Sequence, residues 1–202
     1  MREETAAWTQ PMFAPASQPR AEKKHPYGWA GLLELFYSKL GLPLPLIGDL
    51  EGTEMPQPYR DLLVHSSDMT PTLEAFYSQP MRLSVLTREQ HDVSYLREVV
   101  LKSADDARPV EYGVIRISLN HLPPPASLRV LEEQRPLGSI LQSESIPHLS
   151  WPQSFFSVHS DSHLSHVLYL AQPAVLYGRR NVLLDGSRRL LAEVIEILAP
   201  AP

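Results

Sequence analysis

The chain has 202 residues, a formal net charge of −5 and 43 % hydrophobic residues, so we expect one globular domain with an ordinary core. The net negative charge excludes an overall positive field that would attract nucleic acid. The absence of cysteine excludes disulfides, thiolate nucleophiles and thiolate metal sites. With no apolar run of the roughly 18 residues that span a membrane, and an acidic start unlike a secretory signal, the sequence predicts a cytoplasmic monomer without membrane insertion.

The first segments of the chain are rich in proline. Residues 1–26 combine proline with Ala, Ser and Gln, a composition typical of a disordered tail. Apolar residues then recur at helical spacing over residues 29–40, and Gly41 is a helix-stop signal. Residues 27–58 are therefore predicted to form an N-terminal helix and a proline-rich loop, followed by a single domain over residues 59–202.

Within the predicted domain, period-2 alternation of apolar and polar residues indicates strands, several of them in one antiparallel meander. Consecutive strands with helices interspersed at their ends favour an α+β fold over a doubly wound parallel sheet. Residues 142–153 are predicted as a loop, and residues 155–170 fit either a strand or a helix. The predicted strands cover residues 81–86, 93–102, 110–118, 175–184 and 190–198, and the predicted helices residues 72–77, 126–134 and a turn from 136 onwards.

Arg97 stands on a predicted strand whose same-face neighbours Tyr95 and Val99 are apolar. A cation is costly in such a place unless an anion pairs with it. From the residues alone, the expected partner is a carboxylate on a neighbouring strand. The alternative is that Arg97 binds the carboxylate of a ligand, which the planar guanidinium can hold through two hydrogen bonds.

Four short motifs follow one another along the domain, and a strand that carries carboxylates and ends at Ala199-Pro200 follows them. In this order and spacing they resemble the chorismate pyruvate-lyase family, over residues 59–200. The resemblance implies an α+β fold in which helices cover one face of an antiparallel sheet and a ligand pocket is enclosed. The motifs are Ser67-Asp68-Met69-Thr70, Tyr95-Leu96-Arg97-Glu98, Arg135-Pro136-Leu137-Gly138 and Tyr177-Gly178-Arg179-Arg180.

The resemblance also implies an activity, the elimination of pyruvate from chorismate to give 4-hydroxybenzoate, with no cofactor or metal. Arg97 would bind the ring carboxylate, together with backbone N–H groups at Met69 and Leu137. Such N–H groups are unpaired in the first turn of a helix. Glu196 would be the catalytic general acid at the ether oxygen.

Two glutamates compete for this last role. The ending of the final strand, residues 195–200, selects Glu196, whereas counting from the hairpin glycine Gly186 selects Glu193. The two positions differ by three residues and lie on opposite faces of a strand. We favour Glu196, because the nearer landmark crosses no turn of uncertain length.

A histidine-rich segment contains His159, His163 and His166. On a helix, this spacing would bring three imidazoles to one side, as some metal sites require. The surrounding Ser and Asp residues favour a solvated loop instead, and no metal site is predicted.

A second class of function remains open. The same fold occurs in the effector-binding domains of bacterial transcription regulators, which bind small molecules without chemistry. Those regulators carry a helix-turn-helix module, and residues 1–58 contain no basic recognition helix. The alternative to the lyase is therefore a non-catalytic protein that binds chorismate or an aromatic acid.

Overall fold

The computed structural model describes residues 31–202. The tail predicted over residues 1–26 and the start of the segment 27–58 lie outside the described residues. The helices are α1 (Gly31–Leu40), α2 (Tyr59–Leu63), α3 (Met69–Tyr77), α4 (Pro124–Leu131), α5 (Leu137–Ser143) and α6 (Ser162–Val167). The strands are β1 (Ile47–Leu50), β2 (Met81–His91), β3 (Ser94–Ser103), β4 (Pro109–Ser118), β5 (His148–His159), β6 (Val175–Asp185) and β7 (Leu190–Leu198).

All of these strands form one sheet in the order β1-β5-β6-β7-β4-β3-β2. Every neighbouring pair is antiparallel. The meander β2-β3-β4 forms one half, and α4 and α5 connect it to the meander β5-β6-β7, whose last strand pairs with β4. The predicted α+β fold with an antiparallel sheet is confirmed.

The central strands are buried on both faces of the sheet. In β3 and β4, residues of both alternating sets are almost all inaccessible to solvent. Two apolar clusters pack α2, α3, α4 and α5 against one face of the sheet, the face on which the pocket described below lies. A separate apolar cluster packs α1 and α6 against the opposite face, so this face also carries helices, a feature that the sequence did not indicate.

Two strands lie in segments that the sequence pattern did not resolve. β1 occupies part of the expected loop 43–58, and β5 runs through the expected loop 142–153. Proline is tolerated in β5 because the ladder with β6 shifts register next to Pro152, and because β1 pairs only with residues 155–158. On the side of β5 that faces away from β6, Pro152 therefore has no partner strand. The missing N–H group of this proline leaves no hydrogen bond of the sheet unmade there.

Glu98 connects the sheet to α6 on the face opposite the pocket. Its carboxylate is only 1 % exposed and accepts hydrogen bonds from the Tyr112 hydroxyl at 2.8 Å, the Thr87 hydroxyl at 3.1 Å and the His163 imidazole at 2.6 Å. His163 is thus engaged with a carboxylate, and residues 31–202 contain no group of three or more potential metal ligands. His159 lies at the end of β5, whereas His163 and His166 lie on α6.

The pair formed by Glu98 and His163 makes stability depend on pH. Burial pushes the pKa of Glu98 up, but the hydrogen bonds from His163, Tyr112 and Thr87 outweigh it and lower this pKa. The hydrogen bond to Glu98 raises the pKa of His163. The stability that the charged Glu98 contributes is lost as the pH falls through its lowered pKa. The stability that the charged His163 contributes is lost as the pH rises through its raised pKa.

We therefore expect His163→Gln to lower the free energy of unfolding by about 1–2 kcal/mol between those two pKa values. Outside that window the difference from the wild type should shrink, because one partner is uncharged. Denaturant unfolding at a series of pH values measures it, with the exposed His166→Gln on the same helix as a control that changes stability by less than about 0.5 kcal/mol. A difference that stays constant with pH would contradict the ion pair.

Candidate functional site

The pocket has a floor made by the four central strands. Side chains that face the same way lie in rows across the sheet, because paired residues of neighbouring strands are side by side. Three spacings of about 4.8 Å separate the backbones at the two ends of a row, which gives about 14 Å. The first row contains Arg97, Ile115, Val194 and Asn181, and the second contains Val99, Gly113, Glu196 and Arg179.

Gly113 leaves the centre of this floor open. A Cβ atom at this position would stand 3.2 Å from the Val99 side chain and 3.3 Å from the Glu111 carboxyl group. Any other residue would therefore crowd its neighbours. The missing side chain creates a hollow between the rows.

The first turns of α3 and α5 form the roof. Met69 and Thr70 of α3 line the pocket, as do Leu137 and Gly138 of α5. The cavity measures about 60 Å³, several times the roughly 10–15 Å³ that one water molecule needs. Three of the four motifs thus surround one cavity for a small molecule.

Arg97 enters this cavity without a counter-ion. The residue is 1 % exposed, and its Nε and Nη1 atoms have no hydrogen-bond partner within residues 31–202. Burial lowers the pKa of the guanidinium, while Tyr95 and Glu133 act in the opposite direction. The Tyr95 hydroxyl donates its own hydrogen bond to Glu133. The structural ion pair that the residues alone suggested is therefore not formed by the described part of the chain.

Glu196 also lines the pocket, but it is paired with an arginine. The fully buried Arg179 donates from its Nε atom to Glu196 at 2.5 Å. Its remaining donors reach the backbone carbonyl groups of Leu63 at 3.2 Å, His65 at 3.0 Å and Ser67 at 3.2 Å. Arg179 thereby fixes the segment before α3 to the sheet and neutralises Glu196.

Glu193, the competing glutamate, points to the other face of β7. It pairs with Arg180 of β6 at 3.0 Å and with Arg116 of β4 at 3.3 Å. The structure therefore brings Met69, Leu137 and Glu196 together with Arg97, and leaves Glu193 outside the pocket.

Two pocket residues, Glu111 and Asn181, were not anticipated from the sequence. Glu111 is 4 % exposed, and its Oε2 atom has no hydrogen-bond partner in the described residues. Burial raises the pKa of its carboxyl group well above the usual range, Glu196 raises it further, and Arg179 opposes them. The sequence did contain a signal for Glu111, the same one that marked Arg97. Each is a charged residue between apolar neighbours on a strand that is predicted to be buried.

The orientation of the Asn181 amide follows from a chain of hydrogen bonds. Ser150 donates its single hydroxyl proton to the carbonyl group of Ser67 at 3.3 Å, so it must accept the bond of 2.9 Å that it makes with Asn181. The Nδ2 atom therefore faces Ser150. This leaves Oδ1 as a buried acceptor without a partner among the described residues.

One further ion pair lies at the edge of the pocket. Asp68, at the start of α3, lies 2.8 Å from the His148 imidazole of β5. This hydrogen bond raises the pKa of His148, against the effect of burial. The pair joins the roof to the sheet.

Comparisons with known proteins give structural likeness only. No protein-family model and no curated protein matches the chain, so the resemblance to chorismate pyruvate-lyases rests on the motifs alone. Within residues 31–202, no helix is long and apolar enough to cross a membrane.

Among solved structures, the effector domain of PhnF from Mycobacterium smegmatis aligns with 65 % of this chain and 88 % of its own, at 12 % identity and a TM-score of 0.49. The longer structure of PhnF from the same organism aligns with 83 % of this chain and 93 % of its own, at 10 % identity and a TM-score of 0.49. A GntR-family transcriptional regulator from Bacillus cereus aligns with 59 % of this chain and 92 % of its own, at 12 % identity and a TM-score of 0.44.

The neighbouring arginines of β6 provide a matched test of the buried ion pair. Arg179→Met should lower the free energy of unfolding by about 3–5 kcal/mol, because it leaves the Glu196 carboxylate buried without its cation. Arg180→Met breaks the more accessible pair with Glu193 and should cost about 1 kcal/mol or less. Denaturant unfolding of both variants measures the difference. Equal costs would show that Arg179 does not hold the site together.

Proposed function

We propose that this protein binds a small carboxylic acid in the pocket, with Arg97 as the anchor. The observation that carries the proposal is the buried guanidinium, whose Nε and Nη1 atoms have no hydrogen-bond partner among residues 31–202. An arginine cannot escape the cost of burial by losing its proton. A ligand carboxylate would supply both the missing charge and the missing hydrogen bonds.

The rest of the lining suits an acid with an apolar body. Leu83, Val99, Ile115, Leu137 and Val194 face the cavity, and they provide apolar surface around the guanidinium. Because Glu196 is already paired with Arg179, it does not compete for Arg97. An aromatic or similarly compact acid is the class of ligand that this combination favours.

A second candidate function is the elimination of pyruvate from chorismate. The observation that favours it is the meeting of Arg97, Glu196, Met69 and Leu137 in one cavity, since these are the four positions that the sequence resemblance selects. In this reaction the bond between the ring and the ether oxygen breaks, and the adjacent ring carbon loses a proton. The ring becomes aromatic, and the enol that leaves becomes pyruvate.

Under this candidate, Arg97 binds the ring carboxylate and Glu196 gives acid-base help at the ether oxygen. Much of the driving force lies in the substrate, because the product ring is aromatic. The pocket would contribute mainly alignment and proton transfer.

We expect Arg97→Met to weaken the binding of 4-hydroxybenzoate by about 10–100-fold, the worth of a charge-assisted hydrogen bond. The same variant should raise the melting temperature of the ligand-free protein, because it removes an unpaired buried cation. Calorimetric titration and thermal unfolding measure the two effects, with the exposed Arg82→Met of β2 as a control for both.

A loss of binding together with a loss of stability would indicate that Arg97 has a structural partner. Unchanged binding in Arg97→Met would show that the carboxylate site lies elsewhere.

Incubation with chorismate separates the two candidate functions. If the protein is a lyase, pyruvate accumulates, and both Arg97→Ala and Glu196→Gln abolish its release, whereas Glu193→Gln does not. Pyruvate is measured with a coupled enzyme assay. A rise in melting temperature with chorismate or 4-hydroxybenzoate, without any pyruvate, identifies a non-catalytic binding protein.

A further inference from the structure

Glu111 gives the pocket a second charged group of which the proposed function makes no use. It lies on β4 beside Gly113 and faces the same cavity as Arg97. At 4 % exposure, with Oε2 unpaired within residues 31–202, its carboxyl group receives little of the support that a buried carboxylate needs. Ionised carboxylates in apolar surroundings require a nearby cation or several hydrogen-bond donors.

The charged groups that share this pocket come from every element around it. Arg179 of β6 and Glu196 of β7 form one neutral pair. Asp68 of α3 forms a second pair with His148 of β5, which is neutral while the imidazole is protonated, the form that the hydrogen bond to Asp68 favours. Glu133 also acts on Arg97, and it is paired with Arg88. With these pairs set aside, Arg97 and Glu111 decide the net charge among the described residues that line the pocket. An ionised Glu111 would make the pocket neutral, and a protonated one would leave a single positive charge.

The surroundings favour the protonated form. Glu111 is buried, no side chain of the described residues forms an ion pair with it, and Glu196 places a like charge on the adjacent strand. Within residues 31–202, Arg179 is the one cation that lowers the pKa of Glu111. Its donors are already committed to Glu196 and to backbone carbonyl groups.

We propose that Glu111 is a specificity-determining residue, an uncharged carboxyl group that leaves the pocket with one positive charge and so selects a ligand with one carboxylate. The inference rests on the proposed carboxylate site at Arg97. A monocarboxylate brings the buried charges to zero, whereas a dicarboxylate leaves one negative charge in excess, which is costly when water is excluded. The protonated Glu111 donates its hydrogen bond to the ligand instead of repelling it.

This selectivity bears on the choice between the two candidate functions. Chorismate carries two carboxylates, whereas the described lining of the pocket offers one cation without an ion-pair partner, Arg97, beside which Glu111 adds no charge. This balance favours an aromatic monocarboxylate as the ligand that the pocket holds.

The test uses two para-substituted benzene acids of similar size, 4-hydroxybenzoate and terephthalate, titrated calorimetrically into the full-length protein near pH 7. We expect the wild type to bind 4-hydroxybenzoate at least about tenfold more tightly than terephthalate. Glu111→Gln keeps the shape and a hydrogen-bond donor but can never ionise. Because Glu111 is already uncharged in the wild type, the variant should keep the preference for 4-hydroxybenzoate, with a ratio of the two affinities within about threefold of the wild-type ratio.

Two results would overturn the inference. The first is tighter binding of 4-hydroxybenzoate by Glu111→Gln, by about tenfold over the wild type, which would show that a Glu111 charge had been repelling the ligand. The second is equally tight binding of terephthalate and 4-hydroxybenzoate by the wild type, a comparison that does not depend on the variant folding. If neither acid binds the wild type, the carboxylate site itself is wrong, a failure distinct from either of these.

Discussion

A strand that is buried on both faces has no solvent in which to place a charged side chain, and β3 carries two such side chains in succession. Because neighbouring residues of a strand point to opposite faces, Glu98 enters the core beneath α1 and α6, and Arg97 enters the pocket. Glu98 is satisfied by three donors of the protein itself. Arg97 has no equivalent partner in residues 31–202. This asymmetry between two adjacent buried charges defines the pocket as a site.

The same alternation separates the pairs formed by β6 and β7. Arg179 and Glu196 meet on the pocket face, while Arg180 and Glu193 meet on the other. The first pair holds the chain that leads into α3 and removes two charges from the balance inside the pocket. Among the described residues that line the pocket, Arg97 and the carboxyl group of Glu111 then remain without an ion-pair partner, an arrangement suited to a small anion.

The sequence predicted those elements in which local pattern and tertiary burial agree. The meander and the final hairpin alternate clearly, so β2, β3, β4, β6 and β7 were found. β1 was not found because it has only four residues, with Gly and Asp at its centre, and β5 was not found because its prolines and polar residues hide the alternation. Pro152 is acceptable because β1 does not extend to it on the side of β5 that faces away from β6. That condition depends on how short β1 is, which lies outside the local sequence.

The pocket was predictable in part for a similar reason. Arg97 was conspicuous because its apolar neighbours are adjacent in sequence, and the motifs gave Met69 and Leu137. The roles of Glu111 and Asn181 depend on groups brought from distant strands, among them Glu196, Arg179 and Ser150. The choice between Glu196 and Glu193 likewise needed the register of β7 against β4 and β6, which no local pattern contains.

A crystal structure of the protein grown with 4-hydroxybenzoate tests most directly whether Arg97 anchors a ligand carboxylate. We expect the carboxylate oxygens within about 3 Å of the Nε and Nη1 atoms of Arg97, with the ring over Gly113. A ligand bound elsewhere, or one that reaches this pocket while both nitrogens stay unpaired, would contradict it.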